Sequence, residues 1–383
     1  MKKLHYLTFI IVVIVACKKP YTPPATSVPN HFLVVEGVIN GTTDSTIIKL
    51  SRTVNINSTS NVNPVLRANV VVQNDQNASF TLKEIGNGLY AIASISLDNA
   101  RKYRVYIKTI EGGEYVSDLV TVKNSPPIDS IVNEFTGTSE NFYSYTHDPA
   151  NNTHFYRWDY SETYLYNAPI KSDFIFKTNA VVYRTPDEQI YTCYISNTSS
   201  TIILNSSTKL TQDVIYRNPI TQVSFTLDKL KIRYSLLVKQ YALTTEAYNY
   251  YTNLAKNTQN LGSIFDPQPS EITGNLHCIS NPNEPVIGYI SAGEVAQKRI
   301  FLDRGSIPTP NIGEPVDCGP TVFEWRTAKN NFFWPASISR GLFIPLDTMT
   351  VDESAGNKHL AVTLPECADC TLKGSAKKPA FWK

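Results

Sequence analysis

Apolar and polar residues alternate in short runs along most of this chain. Phe32-Leu33-Val34-Val35-Glu36-Gly37-Val38-Ile39 is largely β-branched and closes on the turn pair Asn40-Gly41. Runs of the same kind follow at 46–50, 68–73, 79–84, 89–94, 103–109 and 115–122. Asn74-Asp75, Gly86-Asn87-Gly88 and Gly112-Gly113 punctuate them. About seven strands at this spacing predict an N-terminal β-sandwich, immunoglobulin-like or transthyretin-like. It would occupy residues 31–125. No Cys–Trp–Cys pattern accompanies it, so an antibody-type domain is not supported.

Ser125-Pro126-Pro127 breaks the pattern, because adjacent prolines stiffen the backbone and cannot donate to a ladder. A larger β-rich domain is expected over 128–363, with strands near 128–135, 154–165, 174–176, 180–183, 189–195, 201–204, 222–227, 231–240, 286–291 and 298–302. In the 154–165 run, Phe155, Arg157, Asp159 and Ser161 alternate with Tyr156, Trp158 and Tyr160, which makes the second face almost wholly aromatic. One helix stands out after Thr244, a capping residue with Glu246 in the first turn. Leu243 and Tyr248 suit a hydrophobic staple, and Tyr248, Tyr251 and Ala255 share a stripe that reads as core packing. Residues 261–273 read as loop, and 364–383 form a cysteine-containing C-terminal tail. The fold class is mainly β, with one or a few short helices.

The N-terminus has a different pattern. Lys2 and Lys3 precede an apolar run from Tyr6 to Val15, and Ile14-Val15-Ala16 leads into Cys17. At about ten residues the run is half of what a membrane-spanning helix needs. It is the architecture of a lipoprotein signal over 1–17, with Cys17 the lipidated first residue of the mature chain. Residues 18–30, with Pro20, Pro23, Pro24 and Pro29, form a linker. Lipid attachment through Cys17 places the protein on a membrane outside the cytoplasm. Some surface-exported lipoproteins carry acidic residues just after the cysteine; Lys18 and Lys19 stand here, which leaves the periplasmic face and the cell surface both open.

Composition narrows the partners. A net charge of +2 over 383 residues gives no electrostatic footprint for nucleic acid. Of the six cysteines, five remain once Cys17 is given to lipid, and an odd number leaves one thiol over. Cys193, in an alternating run, is the candidate free thiol. Cys278, Cys318, Cys367 and Cys370 are the candidate disulfide cysteines, preferentially as Cys278–Cys318 and Cys367–Cys370, with a bridge from Cys318 into the tail as the alternative. A zinc site from the same four, with His277 or His359, is disfavoured because one CxxC pair stands alone and the other spacings are long. Redox catalysis is disfavoured because Pro365-Glu366 precede Cys367 and no helical pattern follows. No metal and no cofactor are expected.

HExxH, GxSxG and phosphate-binding glycine loops are absent. Asp159 and Glu162 sit on one strand at the wrong parity to cooperate, and no catalytic residue is assigned. Trp325, Phe332, Phe333 and Trp334 are the candidate ligand surface for a glycan or peptide, set against a plain core role. Asp-Ser/Thr triplets make Ser45, Ser130 and Thr348 candidate O-glycosylation acceptors.

Several segments taken together carry a resemblance. They are Leu33-Val34-Val35-Glu36-Gly37, Tyr156-Arg157-Trp158, the Gly262–Pro269 stretch with Gly274-Asn275-Leu276, Gly288-Tyr289-Ile290-Ser291-Ala292, and the tail from Cys367-Ala368-Asp369-Cys370 to Lys378-Pro379-Ala380-Phe381-Trp382. In this order they resemble the Bacteroidota lipoproteins grouped as domain of unknown function 4249, over essentially the whole mature chain. The tail departs from many members in keeping only Gly374 after the second cysteine. The resemblance implies an outer-membrane lipoprotein that accompanies a TonB-dependent receptor, and it carries over no catalytic residues. The leading expectation is therefore a non-enzymatic accessory protein that binds such a receptor or its cargo. Capture of glycans or peptides on aromatic surfaces is the second expectation, and a hydrolase with a dispersed site the third.

Overall fold

The computed structural model describes residues 31–54, 63–178, 180–225, 228–259, 272–306, 318–325, 334–347, 350–352 and 357–383. Cys17, Phe332, Phe333 and Thr348 lie outside this set, as do the side chains of Trp325 and Trp334.

Leu33–Asn40 pairs antiparallel with Thr46–Arg52, which pairs in turn with Leu89–Ile92. The Ser79–Gly86 strand serves two sheets. Its first half pairs with Asn69–Asn74 and its second half with Leu89–Ile92. Beyond Asn69–Asn74 come Lys102–Lys108 and Glu114–Ser117. Alternation points Leu33, Val35, Ile48, Leu50, Val70, Val72, Val105 and Ile107 into one core. Each such side chain contributes about 1.5–3 kcal/mol on burial.

This first sandwich is not contiguous in sequence, which corrects the division into 31–125 and 128–363. The chain leaves it after Val120–Thr121, as Ser125-Pro126-Pro127 predicts, but later strands come back. Leu276–Cys278 pairs with Glu114–Ser117, while Val286–Gly288 and Ser291–Gly293 run parallel beside Leu33–Asn40. Leu276, Cys278, Val286, Ile290 and Ala292 join the same core. Parallel partners need a long crossover, so no local turn signal announces them. The return depends on a tight backbone crossing: a Cβ on Gly274 would stand 1.7 Å from the Gly288 carbonyl oxygen. The expected 286–291 run is accordingly two short strands with a break at Tyr289 and Ile290.

The second unit is also a sandwich. Ile128–Phe135, Ser139–His147 and Val214–Ser224 form one sheet. Phe155–Asn167 is the centre of the other, flanked by Arg233–Ala242 with Ala296–Asp303 beyond it on one side, and by Thr192–Thr198 and Ile203–Ser206 on the other. Tyr156, Trp158, Tyr234, Leu236 and Val238 meet Ile131, Phe142, Ile215 and Val223 between the sheets. Buried Gln240 accepts from Trp158 Nε1 at 3.0 Å and donates to the Pro126 carbonyl at 2.8 Å, which fastens the inter-unit linker to this core. The Ser139–His147 strand is missing from the sequence expectation. Its inward positions include Ser144 and Thr146, so the apolar alternation is weak there.

The helix, α1, spans Thr245–Gln259, and Thr244 Oγ1 caps it by accepting from Ala247 N at 3.2 Å. Its buried stripe is Ala247, Tyr250 and Tyr251, with Tyr248 only half-buried, so the packed face is rotated from the one expected. The C-terminal tail is part of the second unit rather than an appendage. Trp382 is buried edge-on against Tyr194 at 5.1 Å and Phe301 at 5.6 Å.

The disulfides differ from the preferred pairing. Cys193 joins Cys370 and Cys318 joins Cys367, so the alternative bridge from Cys318 into the tail is the one formed. Cys278, not Cys193, is the free and buried thiol among the described cysteines. Cys367 lies in the one-turn helix Pro365–Ala368 and Cys370 opens a 3-10 turn, Cys370–Leu372, so local helical structure is present where none was expected. The two neighbouring sulfurs each bond a partner far away in sequence. With Cys318, Cys367 and Cys370 oxidised, the zinc alternative loses three of its thiolates.

Candidate functional site

The outer face of the second sandwich does not face solvent everywhere. Between it, α1 and the Leu33–Asn40 and Thr46–Arg52 strands lies a cleft of about 830 Å³. Strand alternation dictates which side chains enter it. Tyr156 and Trp158 turn into the core, so Arg157 and Asp159 turn into the cleft. On the neighbouring strand Tyr234, Leu236 and Val238 turn inward, and Lys239 and Tyr241 line the cleft. Glu36, Ile47 and Lys49 face them from the first sandwich, and Tyr251 and Leu254 from the helix. A polar segment, Thr198 to Thr201, forms the rim.

Arg157 is the centre of this arrangement. Its guanidinium carbon sits 4.3 Å from the Tyr241 ring centroid and 4.5 Å from that of Tyr251. Two π-systems therefore pack against the cation, and they attract it more strongly where water is scarce. One Nη donates to Asp159 Oδ2 at 3.1 Å, while Nε is buried with no acceptor. Burial pushes the hydroxyls of Tyr241, Tyr250 and Tyr251 up, so they remain neutral donors around pH 7. Tyr250 also packs against Tyr289 at 5.4 Å, which extends the aromatic lining toward the returning strands.

The predicted residues are dispersed. Ser45 is exposed at the edge of the cleft, and Ser130 is half-buried on the Ile128–Phe135 strand. His277 is exposed and bonded to Asp118 at 3.0 Å. Glu162 points away from Asp159 into the second core, where Tyr234 donates to it at 2.8 Å and Lys229 pairs with it. Among the described residues no three His, Cys, Asp or Glu side chains are placed to share a metal ion. A serine, a histidine and an aspartate do meet, in an order unsuited to nucleophilic catalysis. Ser207 Oγ donates to buried Asp213 at 2.5 Å, and His154 Nδ1 stands 3.4 Å from the same Oγ. A triad places the histidine between the other two so that it takes the serine proton; here the serine is in the middle.

In the sequence Arg157 and Asp159 stand out only as alternating residues on one strand. The available signal was a pair of charges on the second face of a strand whose first face is aromatic. Lys239 and Tyr241 were not identified, because only strand pairing brings them beside Arg157; Arg157 lies opposite Tyr241 and Asp159 opposite Lys239.

A family profile described as "Domain of unknown function (DUF4249)" matches residues 18–299. The chain belongs to this family. The match covers the first sandwich, α1 and the whole cleft. A two-domain fibronectin type III segment of chicken tenascin is 13% identical, covering 55% of this chain and 90% of its own, at a TM-score of 0.15. A protein of Bacteroides uniformis provisionally described as carbohydrate-binding is 10% identical, covering 56% and 91%, at a TM-score of 0.16. Superpositions this poor carry no argument about this chain. No curated protein matches it.

Proposed function

We propose that this protein is a non-enzymatic capture protein, lipid-anchored to the outer membrane through Cys17, which holds a glycan or peptide in the Arg157 cleft and works beside a TonB-dependent receptor. The cleft carries the reading. It is concave, lined by tyrosine faces and a few convergent polar groups, and lies between two sandwiches, where binding sites are commonly found. The anchor rests on the apolar run that ends at Cys17. The receptor rests on the family resemblance.

The test uses the full chain in mild detergent, screened against glycan and peptide arrays. Exposed Ser200 lines the cleft without contributing to a core, so Ser200→Trp fills the site and leaves the fold intact. Binding by the native chain that Ser200→Trp abolishes supports capture in the cleft. Binding indifferent to Ser200→Trp places the ligand elsewhere and sinks the reading. Release of Cys17→Ser from membranes, and a barrel protein co-purifying in stoichiometric amount, are the expected results for the anchor and the partner.

A further inference from the structure

The charges inside the cleft fall into two groups. Each acid has a partner: Glu36 pairs with Lys49 at 2.7 Å, Asp44 accepts from Gln297 at 2.8 Å, and Asp159 accepts from Arg157. Two cationic groups keep unused donors. Arg157 Nε is buried without an acceptor, and Lys239 makes no side-chain hydrogen bond or ion pair among the described residues. An unmatched N–H of a buried guanidinium is costly, and native structures normally satisfy such groups. The Tyr241 and Tyr251 rings pack against the guanidinium, and a carboxylate matches such a group best along its edge. Asp159 takes one Nη of this group, while Nε keeps an unused N–H. Lys239 lies directly across the strand pair from Asp159, within the same cleft wall.

We infer that the cleft selects a carboxylate-bearing saccharide, one whose carboxylate meets the guanidinium of Arg157 and the ammonium of Lys239. This deepens the capture reading and rests on it. A planar carboxylate matches the edge of a guanidinium and gains a charge-assisted bond there. The hydroxyls of Thr198, Ser199, Ser200 and Thr201 along the rim, with the rings of Tyr250 and Tyr289 deeper in, suit the hydroxyls and the flat face of a sugar ring. A neutral sugar would bring no anionic acceptor to Lys239 or to the Arg157 Nε.

The experiment is calorimetric titration of the full chain in detergent with three probes: trigalacturonate, its carboxyl-reduced trigalactose counterpart, and triglutamate. Trigalacturonate is expected to bind at least about ten-fold more tightly than trigalactose, roughly the worth of one charge-assisted bond. Lys239→Gln should lower affinity for trigalacturonate about ten-fold, and by clearly more than it lowers any affinity for trigalactose. Arg157→Lys, which keeps the charge but not the planar edge, is expected to weaken it as well. Lys239 is half-buried and outside both cores, so its variant keeps the inference testable should Arg157→Lys unfold. Equal binding of the charged and reduced sugars, blocked by Ser200→Trp but indifferent to Lys239→Gln, leaves capture standing and overturns the acidic selectivity. Binding of triglutamate alone makes the carboxylate that of a peptide and overturns the saccharide. No binding of any probe overturns the inference, and array ligands that Ser200→Trp still blocks would keep the capture reading alive.

Discussion

Asn275 turns both ends of its side-chain amide onto Ile290: Oδ1 accepts the backbone N–H at 2.8 Å and Nδ2 donates to the carbonyl at 2.9 Å. The two residues are buried in the region where the chain comes back to the first sandwich. Neither backbone group of Ile290 has a ladder partner, because the residue falls in the break between Val286–Gly288 and Ser291–Gly293. One side chain thus replaces a missing pair of strand bonds.

Asn275→Ala should orphan both groups of Ile290, each at about 1–3 kcal/mol. A loss near 3 kcal/mol is expected from the first transition in urea denaturation. A loss below about 1 kcal/mol would mean that water replaces the amide and that the returning strands are held by packing alone.

Trp382 is the anchor of the C-terminal tail. Trp382→Ala removes its edge contacts with Tyr194 and Phe301 and opens a cavity, at about 3–5 kcal/mol. The melting temperature should fall, while the two disulfides still form. An unchanged melting temperature would show the tail to be dispensable for stability.

Alkylation distinguishes the cysteine pairings. Among the five described cysteines, none should react with iodoacetamide in the native protein, and denaturation without reductant should expose one thiol, Cys278. Peptide mapping should link Cys193 with Cys370 and Cys318 with Cys367. Recovery of a Cys278–Cys318 link would contradict this fold.

His147 gives a pH signature. Its hydrogen bond with Asp129, 2.8 Å long, raises its pKa above the ordinary 6.5, with Asp148 and Asp213 adding to the effect. A histidine raised in the folded state contributes stability that is fully present below about 6.5 and lost as the pH climbs through the folded value. The group is exposed, so the contribution is small. The ring proton resonances should titrate above 6.5, and Asp129→Asn should bring the midpoint back toward it. A midpoint unmoved by that substitution would show that Asp129 is not the cause.

Much of the fold was legible in the residues. Leu33, Val35, Ile48 and Leu50 announce their strands by alternation, and Thr244 announces the start of α1 by its capping chemistry. The cleft was not legible as a site. Its residues come from strands more than a hundred positions apart, Glu36 from one sandwich and Arg157 and Lys239 from the other.

The amino-acid order by itself determined what short-range physics controls, strand periodicity, the helix cap and the proline break at Ser125–Pro127, and it carries the family membership. Tertiary structure alone decided which distant segments share a core, which sulfurs meet, and which charges are left unmatched in the cleft. Those outcomes depend on loop closure across long separations, as when Gly274 and Gly288 allow two backbones to cross and strands from 276–293 complete a sandwich begun at Leu33. No local window of residues encodes such a meeting, because its stability arises only when both partners are already in place.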